Sequence, residues 1–154
     1  MCQAAQDFFT YFYTELAEKR RSALMNIGID IDDTITALPE YFKELTNAFT
    51  QKGHKIHIVT SRTDNDVARE STRKELAELG IVYSALYFLP DSKVAGTVCT
   101  HKELDWYQKY LWQKVDYCIK NKITIYFDDD KKVVELFSKY APKIKVLHII
   151  KNEV

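Results

Sequence analysis

Short apolar runs alternate with longer stretches of helical periodicity along most of this chain. Five runs have the length and composition of buried strands: the first contains Ile27 and Ile29, and the others are predicted at residues 55–60, 81–89, 123–127 and 145–150. Helical spacing of apolar residues is found between them, over residues 37–52, 66–79, 101–121 and 131–140. Strands that alternate with helices predict an α/β fold, here a Rossmann-like three-layer sandwich around a five-stranded parallel sheet with right-handed crossovers.

Residues 1–24 precede this pattern and are predicted to form an amphipathic helical extension to a single domain over residues 25–154. The apolar positions at helical spacing in this segment are Ala5, Phe8, Phe9, Phe12 and Leu16. Two interpretations stay open: this face packs on the sheet, or it forms a contact between two copies of the chain and makes a homo-oligomer. Met25 is an alternative start, because the domain pattern begins there.

The composition limits the class of protein. A chain of 154 residues suits one domain with a sizeable core. Its 22 basic and 22 acidic residues balance, so no overall field favours nucleic acid or an acidic partner, although a local basic groove stays open. No apolar run reaches the roughly 18 residues of a membrane span. Cys2, Cys99 and Cys118 lack metal or redox spacing, which indicates reduced cysteines in a cytoplasmic protein.

Polar residues follow three of the predicted strands at the point where each one ends. The sequence Asp-Ile-Asp-Asp at residues 30–33 follows the first strand, Thr60-Ser61-Arg62 closes the second, and Asp128-Asp129-Asp130 follows the fourth. In a parallel sheet these three ends share one edge, where open α/β sheets form their ligand crevice. Acids from the first and fourth strands predict a shared Mg²⁺ site. At the end of the second strand, a hydroxyl, backbone N–H groups and the Arg62 guanidinium predict a phosphate-binding loop.

On these residues, residues 25–150 resemble a phosphatase of the haloacid dehalogenase (HAD) superfamily. The resemblance rests on Asp30-Ile31-Asp32-Asp33-Thr34, on Thr60 and on Asp128-Asp129. It implies a Mg²⁺-dependent hydrolysis of a phosphomonoester through an aspartyl-phosphate intermediate. It also implies that Asp30 is the nucleophile and that Asp32 is the general acid and base.

The resemblance implies further roles around this pair. It requires a lysine upstream of the second acidic pair, and Lys114, fourteen residues before Asp128 in a predicted helix, is the expected one. The alternatives to it are Lys93, Lys102 and Lys109. The residues expected to bind the phosphate are Thr60, Ser61, Arg62 and Lys114. The residues expected to hold Mg²⁺ are Asp30, Asp32, Asp128 and Asp129.

The substrate class is indicated less sharply. The segment from Thr60 to Ile81, with Arg69 and Thr72, is similar to superfamily members that act on nucleotides or polynucleotide phosphate ends. A phosphorylated small molecule is the other expected partner. Three alternatives stay open: a phosphotransferase or mutase, a sugar-phosphate phosphatase, and a non-catalytic binding module of the same fold.

Members of the superfamily often insert a cap domain after the first or the third strand. Here Asp30 and Thr60 are only 30 residues apart, and ten residues lie between Pro90 and His101. Neither gap has room for a folded cap, so we expect an open crevice.

The aromatic residues of the long helix predicted over residues 101–121 are a separate question. The tyrosines at helical spacing near Trp106 are Tyr107, Tyr110 and Tyr117. This pattern favours packing in the core over a base-stacking platform. The four histidines lie at unrelated points of the sequence, and we expect them in strands or at the surface.

Overall fold

A computed structural model describes residues 3–150 of the chain, without the side chains of residues 3–5, 7–9, 12 and 22. The strands are β1 (Asn26–Ile29), β2 (Lys55–Thr60), β3 (Ala85–Phe88), β4 (Ile123–Asp128) and β5 (Lys145–His148). The helices are α1 (Gln3–Ala23), α2 (Pro39–Gln51), α3 (Asp66–Glu78), α4 (Ser92–Val98), α5 (Trp106–Lys120) and α6 (Lys131–Tyr140). All five strands are parallel and lie in the order β3-β2-β1-β4-β5.

Helices cover both faces of this sheet, so the predicted three-layer α/β sandwich is confirmed. Side chains alternate between the two faces along each strand. The core on one face joins the sheet to α2 and α3, and it includes Ile27, Ile29, Phe42, Ile56, Ile58 and Leu76. The core on the other face joins the sheet to α5 and α6, and it includes Val59, Val115, Cys118, Tyr126, Val133 and Phe137. Because both faces are buried, the central strands are almost continuously apolar.

The order of the strands determines which strand ends lie side by side at the edge of the sheet. After β1 the chain adds β2 and β3 on one side, then crosses over and adds β4 and β5 on the other. Gly28 of β1 therefore pairs with both His57 of β2 and Tyr126 of β4. The carboxyl ends of β1, β2 and β4 lie side by side at this change of direction, where open α/β sheets bind ligands.

Most of the predicted elements are confirmed, and their ends have local causes. Gly53 and Gly80 follow α2 and α3 with φ angles of 88° and 70°, the left-handed conformation that ends a helix. The third strand is shorter than predicted and begins only at Ala85. Before it, the N–H of Ile81 donates to the end of α3 and that of Val82 donates to the Thr46 hydroxyl, so this segment does not extend the sheet.

Two differences concern the region between β3 and β4. The long helix begins at Trp106 rather than at residue 101, because Asp105 and Gln108 form a reciprocal capping box at its start. The short helix α4 was not predicted, since it contains glycine, threonine and valine, which are poor helix formers. Ala95 is buried where α4 packs against α5, and this packing holds the helix. A helix of seven residues is no cap domain, so the expected absence of a sizeable cap is confirmed for residues 25–150.

Helix α1 covers most of the predicted N-terminal extension. Its described side chains are exposed, and Leu16 keeps 41% of its surface accessible. The other positions of the predicted apolar face lie outside the described side chains, so its packing or pairing stays a prediction. No helix within residues 3–150 has both the length and the apolar content to span a membrane.

Candidate active site

The chain leaves β1 through a tight turn that places several acids at the edge of the sheet. Asp30 has an extended backbone, and its N–H donates to the carbonyl of Phe127 at 3.0 Å, which continues the pairing with β4. The turn Ile31–Ile35 follows. Within it, Asp33 has a φ of 59°, a left-handed conformation that aspartate tolerates better than most residues. The N–H of Asp33 donates to the Thr36 hydroxyl at 2.9 Å, which secures the turn.

Two buried carboxylates share one lysine at this edge. Lys114 Nζ, from α5, donates to Asp30 Oδ1 at 2.9 Å and to Asp128 Oδ2 at 2.7 Å. Asp30, Lys114 and Asp128 expose only 4%, 3% and 0% of their surface. A buried charge is costly unless it is paired, so these three groups depend on one another. The lysine chosen from the sequence therefore lies directly between acids of the first and fourth strands.

The Asp128 carboxylate is held from several sides. Its Oδ1 accepts from the Asp130 N–H at 2.9 Å, and its Oδ2 accepts from the Tyr126 hydroxyl at 3.0 Å. Tyr126 is fully buried, and its ring lies over Gly28, where a Cβ would be 2.5 Å from Tyr126 Cδ2. Sequence reasoning missed this support. Its signal was the spacing of two residues between Tyr126 and Asp128, which places both side chains on one face of β4.

Three carboxylates converge closely enough to hold a cation. Asp30, Asp128 and Asp129 each offer an oxygen, and these oxygens lie within 4.8 Å of one another. Thr34 Oγ1 lies 3.4 Å from both Asp30 Oδ2 and Asp129 Oδ1 and bridges the two acids. Against one ammonium, three carboxylates leave two excess negative charges when all are ionised. Oxygen donors with this charge suit a hard divalent cation such as Mg²⁺.

The pKa values show the same excess of negative charge. The pKa of Asp30 is raised to about 7 as the net result of burial, which raises it, the Lys114 ammonium, which lowers it, and the neighbouring Asp128, which raises it. Burial and the neighbouring Asp128 also raise the pKa of Asp129. A divalent cation among these oxygens would favour their ionised forms. The donor set therefore fits Mg²⁺.

Asp32 lies outside this group of converging carboxylates. Its oxygens accept from Arg62, with Nε to Oδ2 at 2.9 Å and Nη2 to Oδ1 at 2.7 Å. Arg62 Nη1 also donates to the Thr72 hydroxyl at 3.2 Å and to the Glu75 carboxylate. The two residues expected to act as a metal ligand and as a phosphate ligand are thus paired with each other in this structure.

The loop after β2 is fixed by its own side chains and by α5. Thr60 is buried, and its hydroxyl accepts from the Arg62 N–H at 3.1 Å. The carbonyl of Ser61 accepts from the Tyr110 hydroxyl at 2.9 Å. Ser61, which follows β2, therefore lines the same cleft as the acids that follow β1 and β4. The Thr60 side chain stabilises the loop from its buried position.

These groups line a cleft of about 390 Å³, named here the acidic cleft. The described residues that line it are Asp30, Asp32, Asp33, Ser61, Tyr107, Leu111, Lys114, Asp128, Asp129, Asp130 and Lys131. Tyr107, Leu111 and Lys114 reach it from one face of α5, at spacings of four and three residues. Lys93, Lys102 and Lys109 are not among these residues. Lys131, the first residue of α6, is among them.

The aromatic residues of α5 divide into two groups. Tyr117 stacks on Tyr87 with ring centroids 4.1 Å apart and shares a hydrogen bond of 2.9 Å with His57, so its predicted packing role is confirmed. Tyr107 and Tyr110 are half-buried and pack against the same core, whereas the neighbouring Trp106 keeps 72% of its surface exposed. Trp106 is in the first turn of α5, where one side of the helix faces solvent and the acidic cleft begins.

Two of the three cysteines are described, and both are free thiols. Cys99 and Cys118 are buried, and Cys2 lies outside the described residues. Burial raises the pKa of the Cys118 thiol far above its usual range, which leaves it unreactive. Neither described cysteine lines the acidic cleft.

Comparison with protein-family models and with curated protein sequences finds no match. Two solved structures contain a chain of similar fold. One is the Pnkp1/Rnl/Hen1 RNA repair complex, at 15% identity and a TM-score of 0.56, over 86% of this chain and 44% of that one. Another is a Pnkp1/Rnl/Hen1 complex, at 15% identity and a TM-score of 0.55, over 86% of this chain and 48% of that one. This chain therefore spans less than half the length of either matched chain. At this level of identity, the similarity shows the fold alone.

Proposed function

We propose that this protein is a Mg²⁺-dependent phosphatase of the HAD type, which hydrolyses a phosphomonoester through an aspartyl phosphate on Asp30. One observation carries the proposal: Lys114 bridges Asp30 and Asp128 at the ends of the two central strands, beside Asp129. A lysine and an aspartate buried together at an open sheet edge are expensive for stability, and such arrangements are typical of functional sites.

The chemistry follows from the positions of these groups. Lys114 holds Asp30 Oδ1, which leaves Asp30 Oδ2 to attack phosphorus. As the new O–P bond forms, the ester O–P bond breaks and the leaving oxygen takes a proton from Asp32. Asp32 then removes a proton from a water that attacks the same phosphorus, and the Asp30 carboxylate departs with release of inorganic phosphate. Mg²⁺, when bound by Asp30, Asp128 and Asp129, supplies positive charge that offsets the charge of the phosphoryl group.

Arg62 connects the phosphate to the acid–base step. Both Asp32 oxygens accept from Arg62, whereas transfer of a proton to the leaving oxygen requires an Asp32 oxygen that Arg62 does not hold. A phosphate group is a competing, bidentate partner for a guanidinium. We infer that substrate phosphate draws Arg62 from Asp32, so an Asp32 oxygen becomes free to contact the leaving oxygen when substrate is present.

Two observations support a nucleotide or polynucleotide phosphate end as the substrate. The acidic cleft has no inserted domain over it among residues 25–150, so it is open to a bulky substrate. The chain of similar fold belongs to an RNA repair complex, which is in keeping with a nucleic-acid substrate. A phosphorylated small molecule is the alternative substrate of the same chemistry.

A release assay tests the proposal directly. Phosphorylated metabolites and oligonucleotides with a 3′- or 5′-phosphate are incubated with the protein and Mg²⁺, and inorganic phosphate is measured, with Asp30→Asn as the control. We expect steady release that the control lacks. Release of one equivalent of the dephosphorylated alcohol, with the phosphoryl group kept on the protein and no inorganic phosphate formed, would instead indicate a phosphotransferase or mutase. A folded protein that releases nothing from any of these compounds would argue for a binding module.

A further inference from the structure

A second cleft lies beside the acidic cleft and continues from it. It has a volume of about 400 Å³ and is named here the aromatic cleft, after Trp106, Tyr107 and Tyr110 in its lining. Tyr107 lines both clefts. The two are therefore adjoining parts of one surface, and a ligand seated in one can extend into the other.

Helix α5 sets the distance between the two clefts. Lys114 is eight residues after Trp106, which corresponds to about 12 Å along a helix axis at 1.5 Å per residue. The ribose and base attached to a phosphate at Asp30, or the next nucleotide along a chain, extend over a distance of this order. The hydroxyl of Tyr110 donates to Ser61 in the loop after β2, so the aromatic cleft is anchored to the acidic one.

The rings offer flat, accessible surface. Trp106 is 72% exposed, and its ring lies 5.6 Å from that of Tyr107 at an interplanar angle of 65°. An indole left in water is unfavourable, and a flat ring that covers it removes apolar surface from solvent. Base–aromatic stacking is how proteins commonly hold unpaired nucleobases.

The charged side chains of the aromatic cleft are acids, which suit a ligand with hydrogen-bond donors. Among its described lining residues, the charged side chains are Asp64 and Asp91. A hydrogen bond from Arg69 lowers the pKa of Asp64, and the backbone N–H of Lys93 lowers that of Asp91, so both are ionised at neutral pH. The Arg69 guanidinium pairs with Asp64 and offsets its charge. The carboxylate oxygens of Asp64 and Asp91 are acceptors suited to the amino groups of cytosine, adenine or guanine.

We propose that the aromatic cleft holds the base of the nucleotide whose phosphate lies at Asp30, with Trp106 and Tyr107 as the stacking surface. The proposal rests on the phosphatase function proposed above and narrows its substrate to base-bearing phosphate esters. It favours bases with an exocyclic amino group, because Asp64 and Asp91 accept and do not donate. Free nucleotides and the last nucleotide of a single strand share this chemistry.

Binding to the aromatic cleft can be measured in a variant that does not hydrolyse the ligand. The chain has two tryptophans, the exposed Trp106 and the buried Trp112, so quenching of tryptophan fluorescence reports mainly on the aromatic cleft. The full-length Asp30→Asn protein with Mg²⁺ is titrated with cytidine 3′-monophosphate, uridine 3′-monophosphate, a 3′-phosphorylated oligonucleotide and ribose 5-phosphate. We expect quenching by the three base-bearing compounds, more by cytidine than by uridine phosphate, and none by ribose 5-phosphate. Tighter binding of the oligonucleotide would identify a strand end as the source of the base.

Kinetics give the second measurement. Trp106→Ala should lower kcat/KM for the base-bearing substrates roughly 5- to 100-fold, the range for loss of one stacking contact, mainly through KM. Hydrolysis of ribose 5-phosphate, which has no aromatic ring to stack on Trp106, is compared in the same variant and should not change. Ile119→Ala, at the opposite end of α5 and 49% exposed, is the matched control and should change neither.

The two proposals can fail separately. Equal binding of ribose 5-phosphate and cytidine 3′-monophosphate, or a selective loss of ribose 5-phosphate hydrolysis in Trp106→Ala, would overturn base binding in the aromatic cleft and leave the proposed phosphatase activity in place. Equal losses for both substrates would show that Trp106 acts only in the fold, and would also overturn it. Base-dependent quenching in a protein that hydrolyses no ester would support base binding in the aromatic cleft and overturn the proposed phosphatase activity.

Discussion

Arg62 and Asp32 form a two-point ion pair between the loops that follow β2 and β1. Nε donates to Oδ2 at 2.9 Å and Nη2 donates to Oδ1 at 2.7 Å, while the remaining nitrogen contacts Thr72 and Glu75. The guanidinium therefore lies between two acids at the border of the acidic cleft. A phosphate that enters the cleft meets a cation already positioned by Thr72 and Glu75.

The first prediction concerns this guanidinium. Arg62→Gln should lower kcat/KM roughly 10- to 100-fold, the range for loss of a charge-assisted contact to the phosphate. Glu75→Gln leaves Arg62 in place and should cost much less. Steady-state kinetics over a pH series gives the measurement. If the two variants lose activity equally, Arg62 contributes only to the fold of the loop.

The second prediction is metal dependence. Asp30, Asp128 and Asp129 carry excess negative charge, so a divalent cation should stabilise the protein as well as support its activity. Chelation should abolish phosphate release, and added Mg²⁺ should restore it and raise the Tm in a calorimetric scan. Asp129→Asn should weaken the Mg²⁺-induced rise in Tm. Full activity in excess chelator would contradict the proposed mechanism.

The third prediction separates the two leading acids. Asp30→Asn should remove the covalent intermediate and reduce phosphate release by several orders of magnitude. Asp32→Asn should permit attack on an activated ester but slow the hydrolysis of the phosphoenzyme, which should then accumulate. Intact-mass spectrometry after mixing with substrate detects a bound phosphoryl group. Small and equal losses in both variants would show that the strand-end assignment is wrong.

The fourth prediction concerns the buried lysine. Lys114→Met leaves the Asp30 and Asp128 carboxylates without a counter-charge and should lower the free energy of unfolding by about 3–5 kcal/mol. Adding Asp128→Asn should recover part of that loss, since only one buried acid then remains. Lys102→Met, at an exposed position, is the control and should stay within about 0.5 kcal/mol. Urea denaturation measures all three, and a single variant as stable as the control would contradict the pairing.

The fifth prediction is a pH dependence of stability. Burial raises the pKa of Asp30 to about 7 in the folded protein, whereas in the unfolded chain it is about 3.9. Between these values the folded state binds more protons, so this group makes the protein less stable as the pH rises. In chelator, the Tm of Asp30→Asn relative to the natural protein should therefore increase from pH 5 to pH 8. A constant difference would mean that Lys114 keeps Asp30 ionised throughout.

The fold and the meeting of three strand ends were predictable because their signals are local. Apolar runs, helical spacing and glycines at helix ends follow from the neighbouring residues, and parallel order then brings residues 30, 60 and 128 to one edge. The partner of Arg62 was not predictable, because a long side chain reaches several acids and only the packed structure selects Asp32 and Glu75. The exposure of Trp106 depends on where α5 begins relative to the sheet.

The short helix α4 is an element that the sequence pattern did not predict. Its sequence has weak helix propensity, and the helix is present because α5 provides a surface against which Ala95 is buried. A contact of this kind leaves no periodic signal within seven residues. The choice of Lys114 among four lysines came from the family resemblance, and the rotation of α5 about its axis is what places the Lys114 ammonium between Asp30 and Asp128. The catalytic roles of these residues stay predictions.

The pairing of β1 with β4 also affects how the protein forms during synthesis. The chain grows from its N-terminus, so β1 can pair with β2 long before β4 has been made. Until β4 docks, β1 has one open edge, and Asp30 lacks both Asp128 and Asp129. An open apolar strand edge is a template for pairing with other chains. The nascent half-sheet is thus prone to aggregate, and the docking of one strand removes that hazard and completes the site in the same step.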